Sequence, residues 1–564
     1  MAYGPDEILY VLVLAGSAGL QLDLPIALAI TALLAIVVTS YRQTIYAYPH
    51  GGGSYTVARE NLGVLPGLLA AAALTVDYVT TVAVSVTAGV EALIALSPGL
   101  GPHRVALDVA CIVLLMVANL RGLREAGGYF VVPTYIFIGS LALVVLWGLF
   151  HLAGGSLPQV HPGAPTAVEG VSLFLVLRAF SGGCTALTGV EAVANGVPTF
   201  KPPETRNAAG TLGFLAATLG VLFLGIAGLG HAVGALPSDQ ASVIAQVTGV
   251  VAGKGVLFVV VQISSAIILI LAANTSFNGF PLLAAIMARD EFLPFQFAHR
   301  GLRLAYSNGI VVLGLIAIGL VVAFGGSTHA LIPLFAVGVF LAFTLSQAGM
   351  VHHWLRDHGP RWRVKIVING TGAVVTAIVT LIVVVTKFPQ GAWIVVLIVP
   401  LEVMVFLAIH RHYAAARQEM KTGDPPPPRR VAIRMIIPVG QLNRAVTETV
   451  SYALSVRGPI EAIHVAVDAD AAEKLRASWE RWGCGVPLRI IPSPYREVIE
   501  PFVHAIKETR REHAGARISV LLPELVPRHW WEEPLHNQFT VALQLALRHE
   551  EHVIIINVPV QLEA

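Results

Sequence analysis

Apolar residues fill the first four hundred positions of this chain in long blocks. They lie near 8–20, 24–40, 64–96, 105–120, 130–152, 171–198, 209–234, 255–288, 308–325, 328–350, 366–386 and 391–409. A bilayer core takes about 20 apolar residues per helix, so the pattern predicts an α-helical membrane protein with about 12 transmembrane helices. The first block is short, and several long ones must tilt or break. Past position 410 the pattern changes. Short β-branched runs at 431–438, 461–468, 488–492, 518–523 and 552–559 alternate with helical periodicity near 443–456, 470–482, 495–512 and 534–548. That alternation predicts an open parallel α/β sheet. The breaker Asp424-Pro425-Pro426-Pro427-Pro428 reads as a semi-rigid linker between the two patterns. The expected domains are a transmembrane transporter domain at 1–412, a Pro-rich linker at 413–430 and a cytoplasmic α/β regulatory domain at 431–564.

Composition supports the division. The chain of 564 residues is 55% hydrophobic and 12% charged, with a mean hydropathy of +0.73. A soluble protein carries about 25% charge, which excludes a single soluble enzyme. Of the charged residues, 33 fall in the first 410 positions (about 8%) and 37 in the last 154 (about 24%). The net charge of +2 makes no case for nucleic-acid binding. Cys111, Cys184 and Cys484 are scattered and suggest neither a disulfide framework nor a metal site. The opening residues lack the basic segment of a cleavable signal. With the N-terminus placed in the cytoplasm, inside loops before residue 400 hold 13 Lys/Arg, and outside loops hold three: Arg104, Lys254 and Lys387. This obeys the positive-inside rule. An even number of spans then leaves both termini in the cytoplasm of a multi-pass protein of the inner (plasma) membrane.

Ionisable residues inside spans are costly, which makes them candidates for function. Four stand out: Asp77, Glu91, Glu191 and Glu402. Asp77 lies near the middle of its span, with Thr81 at i+4 and Ser85 at i+8 on one helical face. A carboxylate with two hydroxyls is an oxygen-only set suited to a cation or a proton relay. The alternative for the hydroxyls is bonding back to their own helix or to a neighbouring one. Glu91 lies on the same face nearer the water and is expected to be solvated. Glu402 reads as a structural or subunit-contact residue. Asp77 and Glu191 are the two acids expected to be most costly.

The sixth block contains Ser181-Gly182-Gly183-Cys184-Thr185-Ala186-Leu187-Thr188-Gly189-Val190-Glu191. Glycines and threonines are poor helix material. A break there frees main-chain groups at mid-membrane, a mark of secondary transporters built on inverted repeats. A packing face of small residues would explain the glycines but not Thr188 or Glu191. The partner break is expected five spans earlier, at Tyr3-Gly4-Pro5.

In the tail, the first strand ends in Pro438-Val439-Gly440-Gln441 with no phosphate loop. A regulatory or oligomerisation role without catalysis is expected. His352, His353, His410 and His412 fit basic loops facing anionic lipid better than a metal or pH sensor. Trp530-Trp531 reads as a packing or dimer-contact element.

Ala186 to Ala192, followed by Pro202-Pro203-Glu204-Thr205-Arg206-Asn207-Ala208, resembles the signature of the amino acid–polyamine–organocation (APC) superfamily. Ala2-Tyr3-Gly4-Pro5, Leu74-Thr75-Val76-Asp77-Tyr78-Val79, and Leu331-Ile332-Pro333-Leu334 through Gln347-Ala348-Gly349-Met350 resemble the KimA-type potassium importers more narrowly. The similarity covers nearly the whole chain. The resemblance implies a five-plus-five inverted-repeat (LeuT-like) core with helices 1 and 6 broken, two further helices, a homodimer and proton-coupled potassium uptake. It also implies a tail like a universal stress protein that receives inhibitory cyclic di-AMP, with no other cofactor. Carried over by position, its ion pathway falls on Tyr3, Asp77, Thr81, Ser85, Thr188 and Glu191. Glu191 and Asp77 are the expected proton-coupling groups, with Asp77 also offsetting the cation's charge. Relatives carry an extra stretch before Tyr3, including an aspartate seven residues upstream, so Met1 falls inside a first helix expected to be truncated at its N-terminus, through a misassigned start or else a shortened form. Relatives often have tyrosine where Phe335 stands.

Three functions follow. The first is a proton-coupled potassium importer. The second is an APC permease for an amino acid or small organic solute, although such members hold the substrate carboxylate on a Gly-Ser/Ala-Gly backbone site that Tyr3-Gly4-Pro5 does not match. The third is a membrane-anchored sensor, which needs no broken helices or buried carboxylates. A channel lacks its TVGYG-like filter.

Overall fold

The computed structural model describes residues 4–562 apart from 50, 52, 122–126, 156, 160–166, 188, 238–240, 300–305, 422–426, 428–429, 494–496, 529–531 and 533–537. Tyr3, Thr188 and the Trp530-Trp531 pair lie outside the described residues. The chain divides into two compact units, Met1–Lys421 and Thr422–Ala564.

Among its described residues, the first unit is built from helices joined by turns and loops. Its helices are α1 (Gly4–Leu12), α2 (Gly16–Leu20), α3 (Asp23–Ala47), α4 (Ser54–Leu62), α5 (Val64–Leu96), α6 (Arg104–Leu120), α7 (Gly127–Ala153), α8 (Leu173–Gly183) and α9 (Val190–Asn195). They continue with α10 (Glu204–Val233), α11 (Val243–Ala252), α12 (Val256–Arg289), α13 (Ser307–Ala323), α14 (Thr328–Arg356), α15 (Trp362–Lys387) and α16 (Ala392–Glu419). Among the described residues, ten segments are long and apolar enough to cross a membrane. The pair α8–α9 is one span, interrupted by the 3₁₀ turn Cys184–Leu187. The break expected at Tyr3-Gly4-Pro5 is not seen among the described residues, where Gly4 and Pro5 form the first turn of α1. Helix α1 ends instead in the 3₁₀ turn Val13–Ala15, and Gly16, at φ +63°, turns α2 back so that Gly19 lies against the Leu12 carbonyl. Helix α16 runs to Glu419, seven residues past the expected edge of the membrane domain at 412.

Helices α5 and α14 are central. The most apolar stretch of each is 72% buried, against 17% in α6 and 28% in α15 and α16, which lie at the periphery. Sequence explains the central contact. At Gly338 of α14, an added Cβ would stand 2.7 Å from the carbonyl oxygen of Ala73 and 3.3 Å from the amide nitrogen of Asp77. Only glycine admits the α14 backbone this close to the turn that carries Asp77. Phe335, one turn earlier on α14, is fully buried in the surrounding core with Phe340 and Phe343.

The second unit is a five-stranded parallel sheet of order β3-β2-β1-β4-β5. Its strands are β1 (Ala432–Pro438), β2 (Ile460–Ala466), β3 (Leu488–Pro492), β4 (Ala516–Val526) and β5 (Val553–Gln561). Helices α17 (Arg444–Ser455) and α18 (Ala469–Trp482) cover one face, where Met435 and Ile437 pack on Val450 and Trp479. Helices α19 (Ile499–Glu512) and α20 (Gln538–Leu547) cover the other, where Ile436 packs with Phe502, Ile506 and Leu543. Burial on both faces is why the strands read as continuous apolar runs. Asn443 and Asp468 cap α17 and α18 through their side-chain oxygens.

Candidate functional site

Asp77 sits midway along the 33 residues of α5. The Thr81 hydroxyl donates to Asp77 Oδ1 at 3.3 Å, so it serves the carboxylate and not its own backbone. Thr80, on the other face, bonds back to Val76 O at 2.7 Å. Asp77 and Thr81 keep partial exposure inside an otherwise buried helix, and Ser85 is 3% exposed two turns on. Asp77, Thr81 and Ser85 thus stand at i, i+4 and i+8 on one face of α5.

The break in the sixth span divides its glycines by role. A Cβ on Gly183 would meet Ile30 and Ile8 within 2.6 Å, and one on Gly182 would meet Glu7 at 3.2 Å, so these two let α1 and α3 approach. Gly189 has open space around it but a φ of +89°, which L side chains avoid. It turns the chain into α9 and places Glu191 in the first turn of that helix, 6% exposed. The small-residue packing face and the break therefore coexist.

Glu191 is held by a residue the sequence reading missed. Ser54 donates its backbone N–H at 3.1 Å and its hydroxyl at 2.6 Å to Glu191 Oε1. Ser54 is the first residue of α4 and fully buried, with the Tyr41 hydroxyl 3.3 Å from its own. Asn195, one turn beyond Glu191, donates to the Tyr78 hydroxyl at 3.0 Å. Asp77, Tyr41 and Tyr78 lie within electrostatic reach of Glu191. The two acids thus belong to one site. Ser54 gave no signal because Gly51-Gly52-Gly53-Ser54 reads as an ordinary loop.

Further along α4, the Tyr55 hydroxyl donates to Asp290 Oδ2 at 2.7 Å and Arg59 forms an ion pair with the same carboxylate. Arg59 also lies over the buried Phe292 ring, 5.7 Å from its centre. This clasp ties α4 to the end of α12.

Three expectations are corrected at the opposite end of the helices. Asp77 and Glu191 are not the only costly acids: Asp6, Glu7, Asp23 and Asp108 are each 6% exposed or less. Glu7 receives Lys387 Nζ at 3.2 Å and lies 2.5 Å from His329 Nδ1. Asp6 accepts the Val243 N–H at 2.7 Å. Lys387, assigned by sequence to an outer loop, is 3% exposed because that carboxylate draws it inward. Glu91, expected to be solvated, pairs with Arg104 at 3.3 Å. In α16, Glu402 Oε2 is buried without a hydrogen-bond partner among the described residues.

The four interfacial histidines are not gathered. His410 stacks on Phe292, His353 packs between Tyr48 and Trp354, and His412 tilts on Tyr413. Among the described residues, no group of three or more His, Cys, Asp or Glu is placed to hold a metal ion. The site instead offers carboxylate and hydroxyl oxygens beside a helix break, a set that strips water from a hard monovalent cation or passes a proton.

Comparison with known proteins agrees. Residues 6–406 match the amino acid permease family, and residues 430–560 match the KimA potassium transporter C-terminal domain. The chain is 39% identical over 563 residues to the Potassium transporter KimA of Bacillus subtilis (strain 168), covering 99% of this chain and 93% of that one. Among solved structures, the Eremococcus coleocola manganese transporter in complex with an aromatic bis-isothiourea substituted compound is 14% identical. It covers 74% of this chain and 95% of its own, with a TM-score of 0.37. A mutant of that transporter is 13% identical over the same shares, with a TM-score of 0.33. Scores this low lend that likeness no weight. The chain belongs to the amino acid permease family, and within it to the KimA potassium transporters whose C-terminal domain it shares.

Proposed function

We propose that this chain imports potassium by alternating access, driven by a proton moving the same way. The observation that carries the reading is the 39% identity over 99% of the chain to a potassium transporter. The oxygen-only donors around Asp77 and Thr81 support it. Tyr3, Thr81, Ser85 and Thr188 replace the water shell of potassium, Asp77 offsets its charge, and Glu191 takes the coupled proton. The ten long helices, together with α1 and α13, make twelve crossings of the inner membrane in a five-plus-five repeat plus two. Charge asymmetry puts both termini in the cytoplasm. The chain works as a homodimer without catalysing a reaction. Its tail is a universal-stress-protein-like domain on which cyclic di-AMP inhibits uptake.

Rescue of a potassium-uptake-deficient bacterium at low potassium tests the reading, with Glu191→Gln as control. Uptake of a labelled amino acid without rescue would instead favour an organic-solute permease. For the tail, titrating the full-length protein with cyclic di-AMP and ATP is decisive. Cyclic di-AMP binds and ATP does not, because no glycine loop follows β1.

A further inference from the structure

Helix α4 touches both the proton-coupling acid and the clasp at one end of the transporter. Its first residue, Ser54, spends both donors on one oxygen of Glu191. One residue on, Tyr55 holds Asp290, and a turn later Arg59 pairs with it. The clasp lies at the cytoplasmic end in the orientation proposed above. Four observations show that the Glu191 end of α4 is closely fitted. A Cβ on Gly53 would stand 2.8 Å from Asn195 Oδ1, and one on Gly51 would stand 3.1 Å from Asn195 O. A Cβ on Gly349 of α14 would stand 3.0 Å from Val57 O, and Tyr55, Val57 and Ala58 are 2% exposed or less. The α4 segment has no slack between its two attachments.

Groups that carry or can carry charge around Glu191 are Asp77 and Tyr78 from α5 and Tyr41 from α3. Helices α10 and α12, also packed against α9, bring no ion pair to it among the described residues. The donors to Glu191 are the Ser54 N–H and hydroxyl, while the uncharged Asn195 side chain donates to the Tyr78 hydroxyl. Hydrogen bonds donated to a carboxylate favour its ionised form. A proton taken up by Glu191 removes the charge these donors serve.

We infer that Ser54 is a positioning residue through which the charge on Glu191 sets whether α4 and its Tyr55–Arg59–Asp290 clasp stay shut. Ionised Glu191 anchors the start of α4 and keeps the cytoplasmic side closed. A proton arriving with the cargo loosens that anchor and lets α4 move away, opening the pathway inward. Loss of the proton to the cytoplasm restores the anchor. This order suits a symporter, because only the proton-loaded carrier opens inward. The inference rests on the proton-coupling role proposed for Glu191.

The test is rubidium uptake into proteoliposomes as a function of pH, for the full chain and for Ser54→Ala, Ser54→Thr and Glu191→Gln. Ser54→Ala moves the midpoint of the pH profile upward by about one unit, and Ser54→Thr stays near the parent. A Ser54→Ala profile that superimposes on the parent overturns the positioning role. A second measurement stands if Ser54→Ala does not fold. With the native cysteines replaced by serine, Ala58→Cys is labelled from the cytoplasmic side faster as pH falls, and fast at every pH when combined with Glu191→Gln. Labelling that ignores pH overturns the inference. If Glu191→Gln keeps the parental pH profile, the proton-coupling role itself fails. If it abolishes the pH dependence while Ser54→Ala and Ala58→Cys show nothing, only this inference fails.

Discussion

Lys387 donates to Glu7 across 380 positions of sequence, with both side chains 3% exposed or less. The pair joins the first helix to the end of α15, and His329 at the start of α14 completes it. Removing one partner of a buried pair leaves a charge stranded in low dielectric, at a cost of about 3–5 kcal/mol. Glu7→Leu alone is expected to lower the thermal unfolding midpoint in detergent sharply. Adding Lys387→Met is expected to recover most of the loss. A double variant no more stable than the single one would show that the two are not coupled.

Thr81 serves Asp77 and not its own helix. Thr81→Ala is expected to raise the KM for potassium by about three- to tenfold, the worth of one hydrogen bond, while Thr81→Ser keeps it. Asp77→Asn abolishes uptake at unchanged expression. Transport kinetics in cells at graded potassium check both.

The contact between α5 and α14 depends on Gly338. Gly338→Ala drives a methyl into the backbone beside Asp77, and overpacking of this kind costs about 1–3 kcal/mol. Both stability and uptake fall. Gly319→Ala, a helical site on α13 with nothing within 4 Å of an added Cβ, leaves both unchanged. Unfolding midpoints of the two variants, set side by side, decide the matter.

Arg59 and Asp290 act as a unit in the clasp. Arg59→Gln and Asp290→Asn are each expected to slow uptake, and the double variant to be no worse than the more damaged single. Additive losses would mean that the two residues act independently.

What was legible in the sequence follows from burial and periodicity. Asp77 and Thr81 announced themselves because a carboxylate and a hydroxyl at i, i+4 are costly in an apolar span. The five tail strands were legible because helices cover both faces of the sheet, which makes runs such as Met435-Ile436-Ile437 continuously apolar. Ser54 was hidden because its partner is 137 positions away and its neighbours are glycines. Glu7 and Lys387 were hidden because each lies near the end of an apolar block, where charge reads as solvated. Neutralisation by a distant partner leaves no local trace in the chain.

The central claim is proton-coupled potassium import with Glu191 as the coupling group. The most direct measurement places the purified chain in potassium-free liposomes, adds potassium outside, and follows potassium entry and internal pH together. Symport predicts potassium entry with internal acidification, both lost in Glu191→Gln. Potassium entry with no proton movement, or wild-type coupling in Glu191→Gln, would contradict it.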